Sequence, residues 1–193
     1  MLRKLKLQGV EIYVTDLAGV RITYGETYCV DVVNPQLCHF KLYTHTHPAH
    51  FPTSPHGGII SPEVGRRVRP GEVLNLGRAV VKVVEAYNRD GGPHPRGLGV
   101  GYVLEIGGVK IYHMGDTSLI DEIAEVAREE IDILLVPVGG GGVMTPEEAR
   151  DAVESLRPKV AIPIHFQNPR DLYLFRDMAQ PYTQVVLLKK WTH

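Results

Sequence analysis

The chain has 193 residues, 44% of them hydrophobic, and a formal net charge of −1 with both signs mixed along it. That length supports one domain able to bury a substantial core, and the domain is expected to run from 1 to 193. The near-neutral balance argues against a polyanion partner, so no nucleic acid is expected. No apolar run reaches membrane-spanning length and the N-terminus has no signal-peptide core, so a soluble, unprocessed, cytoplasmic protein is expected, with no membrane partner. The two cysteines, Cys29 and Cys38, lie in apolar or strand-like contexts and are not expected to form a disulfide framework. Few Asn, Gln, Cys and Met residues, with Arg outnumbering Lys, point weakly to a hot-living source.

The first third reads as β structure. Alternation marks Val10 to Thr15 and Val20 to Tyr24, and short apolar runs cover Tyr28 to Val33 and Phe40 to Tyr43. Gly9, Gly19, Gly25 and Asn34-Pro35 separate them. Directly after the fourth run comes His45-Thr46-His47-Pro48-Ala49-His50, three imidazoles in six residues. In an extended segment His45 and His47 project to one side, and Pro48 can turn the chain to bring His50 in. From Phe51 to Gly77 the sequence is rich in Pro, Gly and Arg, and it reads as a long loop passing over something.

Ala79 to Ala86, Val100 to Ile106 and Val109 to His113 are strand-like, the last two joined across Gly107-Gly108. His94 falls in the loop Gly91 to Gly97. Strand and helix then alternate. Ile120, Ile123, Ala124 and Ala127 have helical spacing, with Asp116, Thr117 and Ser118 available as caps. Ile131 to Val136 is a buried strand. Thr145-Pro146-Glu147-Glu148 starts a helix with a capping box, and Ala149, Ala152, Val153 and Leu156 form its buried stripe. Val160 to Ile164 is another buried strand, Asp171 to Met178 a short helix and Val185 to Leu188 a last strand. Strands first and strand-helix units after them indicate stacked sheets with helices outside.

His45, His47, His94, Asp116 and His165 all sit just beyond strand ends or in a loop between strands, where groups gather on one rim of a layered fold. Histidine and aspartate suit Zn²⁺, and Mn²⁺ or Fe²⁺ can use the same donors. An ion on three histidines and a carboxylate keeps a position open for water and supplies hydroxide at neutral pH. Asp116 also has a bland reading as a helix cap. Among the other histidines, His113 is read as a packing or supporting residue, and His39 and His193 as structural or solvated. His56 is a remote candidate for an extra ligand. The run Arg66-Arg67-Val68-Arg69 can greet an anionic substrate, although a charge run is more often a solvated face. Gly139 to Gly142 can present N–H groups to an anion, but a loop beside the site is the commoner outcome.

These residues resemble the metallo-β-lactamase superfamily, whose signature is H-x-H-x-D-H followed by a lone His, a Gly-Asp pair and a late His. Here the positions are His45, His47, Ala49 and His50, then His94, Gly115-Asp116 and His165. The phrases Glu85-Ala-Tyr-Asn88, Gly99-Val-Gly-Tyr-Val103, Tyr112-His-Met-Gly-Asp-Thr117 and Val136-Pro-Val-Gly-Gly140 resemble its small lactonase-like hydrolases, related to ascorbate-phosphate lactonase. The resemblance implies a four-layer αββα sandwich of class α/β and a metal-dependent hydrolase acting on a lactone, ester or phosphoester. It implies one or two ions, His45, His47 and His94 as ligands of the first, His50 and His165 of the second, and Asp116 as bridge and catalytic residue. The signature aspartate is replaced by Ala49, which has no lone pair. A weaker second site, or a regulatory protein that binds metal without hydrolysis, is the alternative this replacement raises.

Overall fold

The computed structural model describes residues 1–89 and 91–190. Two seven-stranded sheets lie face to face. The first runs β1 (Leu5–Leu7), β2 (Val10–Val14), β3 (Val20–Tyr24), β4 (Glu26–Val30), β5 (Phe40–Leu42), β6 (Ile59–Ser61) and β7 (Arg66–Arg67), in that spatial order. The second holds β8 (Val73–Leu76), β9 (Ala79–Ala86), β10 (Gly99–Ile106), β11 (Val109–His113), β12 (Ile133–Pro137), β13 (Val160–Ile164) and β14 (Gln184–Val185), also paired in chain order. Each sheet begins antiparallel and ends parallel, with β4, β5, β6 and β7 parallel in one and β11, β12, β13 and β14 in the other.

Period-two alternation decides what each strand buries. Ile12, Ile22, Tyr28 and Leu42 from the first sheet meet Val81, Tyr102, Leu104, Ile111, Ile133 and Ile162 from the second in the core between them. The intervening residues of the second sheet, Val103, Tyr112, Leu134 and Val136, point outward into another apolar cluster with Ala149, Val153 and Phe175. This sheet is buried on both faces, which is why β12 and β13 read as unbroken apolar runs. The helices α1 (Ile123–Val126), α2 (Pro146–Leu156) and α3 (Pro169–Ala179) supply that cluster's outer wall. Among the described residues all three helices lie on the second sheet. The result is an α/β sandwich of the expected type, except that among the described residues a helical layer covers the second sheet and not the first.

Helix α2 forms as its sequence dictates. The Thr145 hydroxyl accepts from the Glu148 N–H at 3.3 Å and the Glu148 carboxylate accepts from the Thr145 N–H at 2.8 Å, satisfying two orphan donors at once. Helix α1 is shorter than its apolar spacing predicts and continues only as a 3₁₀ turn over Ala127–Glu129. Its expected caps are engaged elsewhere: the Thr117 hydroxyl donates to the Tyr87 carbonyl at 3.0 Å, and Asp116 faces a cluster of histidines.

Two expectations are corrected. The segment from Phe51 to Gly77 is not one loop, because it contributes β6, β7 and β8; these are runs of two to four residues, too short for a periodic signal. Cys29 and Cys38 do form a disulfide, with Cα atoms 5.8 Å apart. β4 and β5 are adjacent parallel strands with Tyr28 opposite Phe40, so the connection between them returns Cys38 to the side of Cys29. The absence of a Cys-rich pattern said nothing about that pairing. No helix among the described residues is long and apolar enough to cross a membrane.

Candidate metal centre

The parallel halves of the two sheets place their strand ends on one rim. Asp31 follows β4, the histidine segment follows β5, Glu63 follows β6, Asp116 follows β11, Gly139 follows β12 and His165 follows β13. The loop from β9 to β10 delivers His94 to the same rim. Clefts at the carboxyl ends of parallel strands follow from such an arrangement.

His45, His47 and His94 each offer a ligand atom within 4.8 Å of the others, and so do His50, Asp116 and His165. The two groups meet on Asp116. Its Oδ2 lies 3.2 Å from His94 Nε2, 3.3 Å from His50 Nε2, 3.1 Å from His165 Nε2 and 3.7 Å from His45 Nε2. His45, His50, His94 and Asp116 are buried, His165 is half-buried and His47 is exposed on the solvent side. All six residues of the expected ligand set are therefore assembled at one place.

Local structure sets each direction. Gly115 turns the chain after β11 with φ +69°, and a Cβ there would lie 2.8 Å from the Val100 carbonyl, so only glycine lets Asp116 turn inward. The Thr44 carbonyl accepts from the Val100 N–H at 3.0 Å, and the Tyr43 carbonyl accepts from the Tyr102 hydroxyl at 2.8 Å. These bonds tie the histidine segment of the first sheet to the second. His165 sits at φ 50°, a left-handed conformation, with its N–H donating to the Leu17 carbonyl at 2.7 Å.

A residue absent from the expected set orients two of the imidazoles. Asp31, fully buried at φ 53°, accepts from the Thr44 N–H and from the Thr44 hydroxyl, both at 2.7 Å, and from His50 Nδ1 at 3.1 Å. Since the Thr44 hydroxyl donates to Asp31, its lone pair receives His45 Nδ1–H at 2.9 Å. His94 Nδ1–H faces only acceptors, Asn88 Oδ1 and the Gly142 carbonyl, each at 2.9 Å. In all three rings Nδ1 is committed outward, leaving the Nε2 lone pair toward the centre.

Whether this donor set fits an ion is answered by its unpaired atoms. His45 Nε2 and Asp116 Oδ1 are buried with no hydrogen-bond partner among the described residues. An orphaned lone pair costs free energy unless something completes it. The ring centroids of His45 and His50 are 4.3 Å apart and those of His47 and His94 4.8 Å apart, so charging these imidazoles together without a counter-ligand would be costly. For His45 and His94, but not for His50, electrostatics favour the ligating form. Burial pushes His45 down to about 4 and lowers His94, so both favour the neutral, ligating form. Burial also disfavours a charge on His50, but the Asp116 and Asp31 carboxylates outweigh it and raise that group to about 10. Burial works against ionised Asp116 as well, yet His165 and His50 hold its carboxyl far below the usual range.

Above the histidines lies a cavity of about 40 Å³ bounded by His45, His47, His94 and Asp116, with Glu63 and the apolar rim of Pro93, Pro95, Leu98 and Val100. Ala49 is exposed and is not part of this lining. The other histidines lie apart. His113 is buried and donates Nε2–H to the Ala18 carbonyl at 2.9 Å. His39 accepts from the Thr27 N–H, and His56 is exposed in a separate depression beside Asn34 and Lys41, where it supplies no ligand. His193 lies outside the described residues.

Residues 41–165, which contain every one of these ligands, match the Beta-lactamase superfamily domain. The chain belongs to the metallo-β-lactamase superfamily. Within that superfamily it is 35% identical over 133 residues to a protein of Thermococcus onnurineus named a UPF0173 metal-dependent hydrolase, an alignment covering 65% of this chain and 58% of that protein. The chain thus spans little more than half the length of that curated relative. Among solved structures, one from Parabacteroides distasonis whose name places it with metal-dependent hydrolases has a TM-score of 0.82 at 23% identity, covering 97% of this chain and 98% of that one. CmlA of Streptomyces venezuelae, a diiron beta-hydroxylase, has a TM-score of 0.70 at 14% identity, covering 98% of this chain and 53% of that one. The fold is shared with both solved structures, whose names give different reactions, hydrolysis and hydroxylation.

Proposed function

We propose that this chain is a metal-dependent hydrolase of the lactonase-like branch, acting on a lactone, ester or phosphoester of a small-molecule substrate. His45, His47 and His94 would hold one ion, and His50, Asp116 and His165 a second. The nitrogen-rich donor set favours Zn²⁺, with Mn²⁺ or Fe²⁺ able to use the same ligands. The observation that carries this reading is the convergence of two triads on one carboxylate with buried His45 Nε2 and Asp116 Oδ1 left unpaired.

When bound, the ion brings the pKa of a water to about 7 and polarises the scissile centre. The chain's own residues do the rest. Asp31, Thr44, Asn88 and the Gly142 carbonyl fix the imidazoles, so little rearrangement accompanies metal uptake. Pro93, Pro95, Leu98 and Val100 give the cavity an apolar rim for the uncharged part of a substrate. A cytoplasmic location belongs to this proposal; the Cys29–Cys38 disulfide is compatible with it in a hot-living organism, where intracellular disulfides persist.

The test is metal content per chain of protein prepared without chelators, alongside hydrolysis of chromogenic ester, lactone and phosphoester probes. One or two ions per chain are expected. Asp116→Asn or His94→Ala should lower both metal content and turnover, the latter by ~10²-fold or more. A protein that holds no metal and takes up none on addition would refute the proposal.

A further inference from the structure

Glu63 is a carboxylate at the candidate centre that no ligand group uses. It comes from the turn after β6 and lines the same cavity as His45, His47 and His94. Its position is built. The Ser61 hydroxyl accepts from the Glu63 N–H at 3.2 Å and the Val64 N–H at 2.8 Å, and the Pro62 carbonyl accepts from Arg69 Nη1 at 2.6 Å. The Thr46 hydroxyl, between the first two histidines, donates to Glu63 Oε2, so the side chain is anchored to the histidine segment.

The rest of the wall carries no balancing cation. Among the described residues no Lys or Arg lines the cavity. Nearby cations are committed: Arg96 to Glu85 and Glu122, Arg89 to Asp121, Arg69 to the Pro62 and Val68 carbonyls. Arg66 and Arg67 are exposed on β7, where they form part of a solvated face. The glycine segment 139–142 is not part of this lining, and its Gly140 N–H is taken by the Met144 carbonyl. Recognition of an anionic flanking group calls for Arg, Lys or converging backbone N–H groups. Apart from the candidate ligands and Thr44, this wall has apolar surface and one carboxylate.

From this we infer that Glu63 determines selectivity for the group that flanks the scissile bond: the cavity takes an ester or lactone whose flanking group is uncharged or cationic, and it disfavours one whose flanking group is anionic. The inference rests on the hydrolase reading above. Its mechanism is repulsion, in which an anchored negative charge penalises a like charge on the substrate portion that reaches past the ions.

The experiment uses metal-loaded protein and 4-nitrophenyl esters with one scissile bond and different tails: butyrate (neutral), hydrogen glutarate (anionic) and 4-(trimethylammonio)butyrate (cationic). Wild type should favour the neutral and cationic esters over the anionic one by about tenfold or more in kcat/KM, mainly through KM. In Glu63→Gln the neutral-to-anionic ratio should fall by about tenfold, and in Thr46→Val, which frees the carboxylate, by less. In parallel, calorimetry compares butyrohydroxamate with glutaric monohydroxamate, a pair that needs no turnover. Wild type should bind the neutral hydroxamate more tightly, and Glu63→Gln should narrow the gap. A ratio unchanged by Glu63→Gln, a wild-type preference for the anionic partner, or binding of neither hydroxamate overturns the inference. Discrimination between hydroxamates without hydrolysis of any probe would sustain it and refute the hydrolase reading instead.

Discussion

The Asp31 carboxylate accepts from His50 Nδ1 at 3.1 Å while His50 Nε2 lies 3.3 Å from Asp116 Oδ2, so one imidazole is held between two buried carboxylates. Asp31 stands behind the candidate ligands and sets the direction of His50 directly and of His45 through Thr44. Loss of such a supporting carboxylate typically weakens metal affinity 10–100-fold. Asp31→Asn should weaken uptake at the His50, Asp116 and His165 group by about that factor while sparing His47 and His94. Metal titration monitored by calorimetry, with thermal melts to verify folding, checks this.

Ala49 leaves the second group with three protein donors. Supplying a carboxylate by Ala49→Asp should tighten the weaker ion about tenfold or more, and the stronger ion much less. Stepwise competition with a chromogenic chelator resolves the two. Equal affinities in variant and wild type would show that position 49 does not reach the ion.

For the metal-free protein, stability should be bell-shaped in pH. His45, depressed from 6.5 to about 4 by burial, binds protons more readily unfolded, so stability falls as pH drops from about 6.5 toward 4. His50, raised from 6.5 to about 10 despite burial by its two carboxylates, contributes stability that is complete below about 6.5 and is lost as pH rises toward 10. Urea unfolding in chelator across pH 4–10 should peak near 6.5. The alkaline decline should disappear in His50→Gln.

The Cys29–Cys38 disulfide closes a short loop that begins just before Asp31. Loop-closure entropy for a separation of 9 residues corresponds to about 2–3 kcal/mol. Reduction, or Cys29→Ser with Cys38→Ser, should lower unfolding free energy by that amount. Calorimetric melts with and without reductant provide the measurement, and an unchanged Tm would refute it.

The site was legible in sequence where chemistry and position coincide. His45, His47, His94, Asp116 and His165 carry ligating side chains beside strand ends, and strand ends share a rim. Asp31 was missed because its role arises only when β4 pairs with β5; the available signal was a lone carboxylate closing the apolar run Tyr28 to Val30. Glu63 was missed because its segment, broken by proline and glycine, showed no periodicity from which β6 could be placed.

What the sequence by itself determined was the strand and helix periodicity, the capping box of α2 and the types of ligand, since these depend on neighbours a few residues apart. The tertiary structure alone decided that the His45, His47 and His94 group lies against Asp116, that Asp31 supports the histidines, that Cys29 reaches Cys38 and that Glu63 lines the cavity beside the histidines. Each of these joins residues carried by different strands. Their distances follow from parallel pairing and from how the two sheets pack, and no local pattern encodes either.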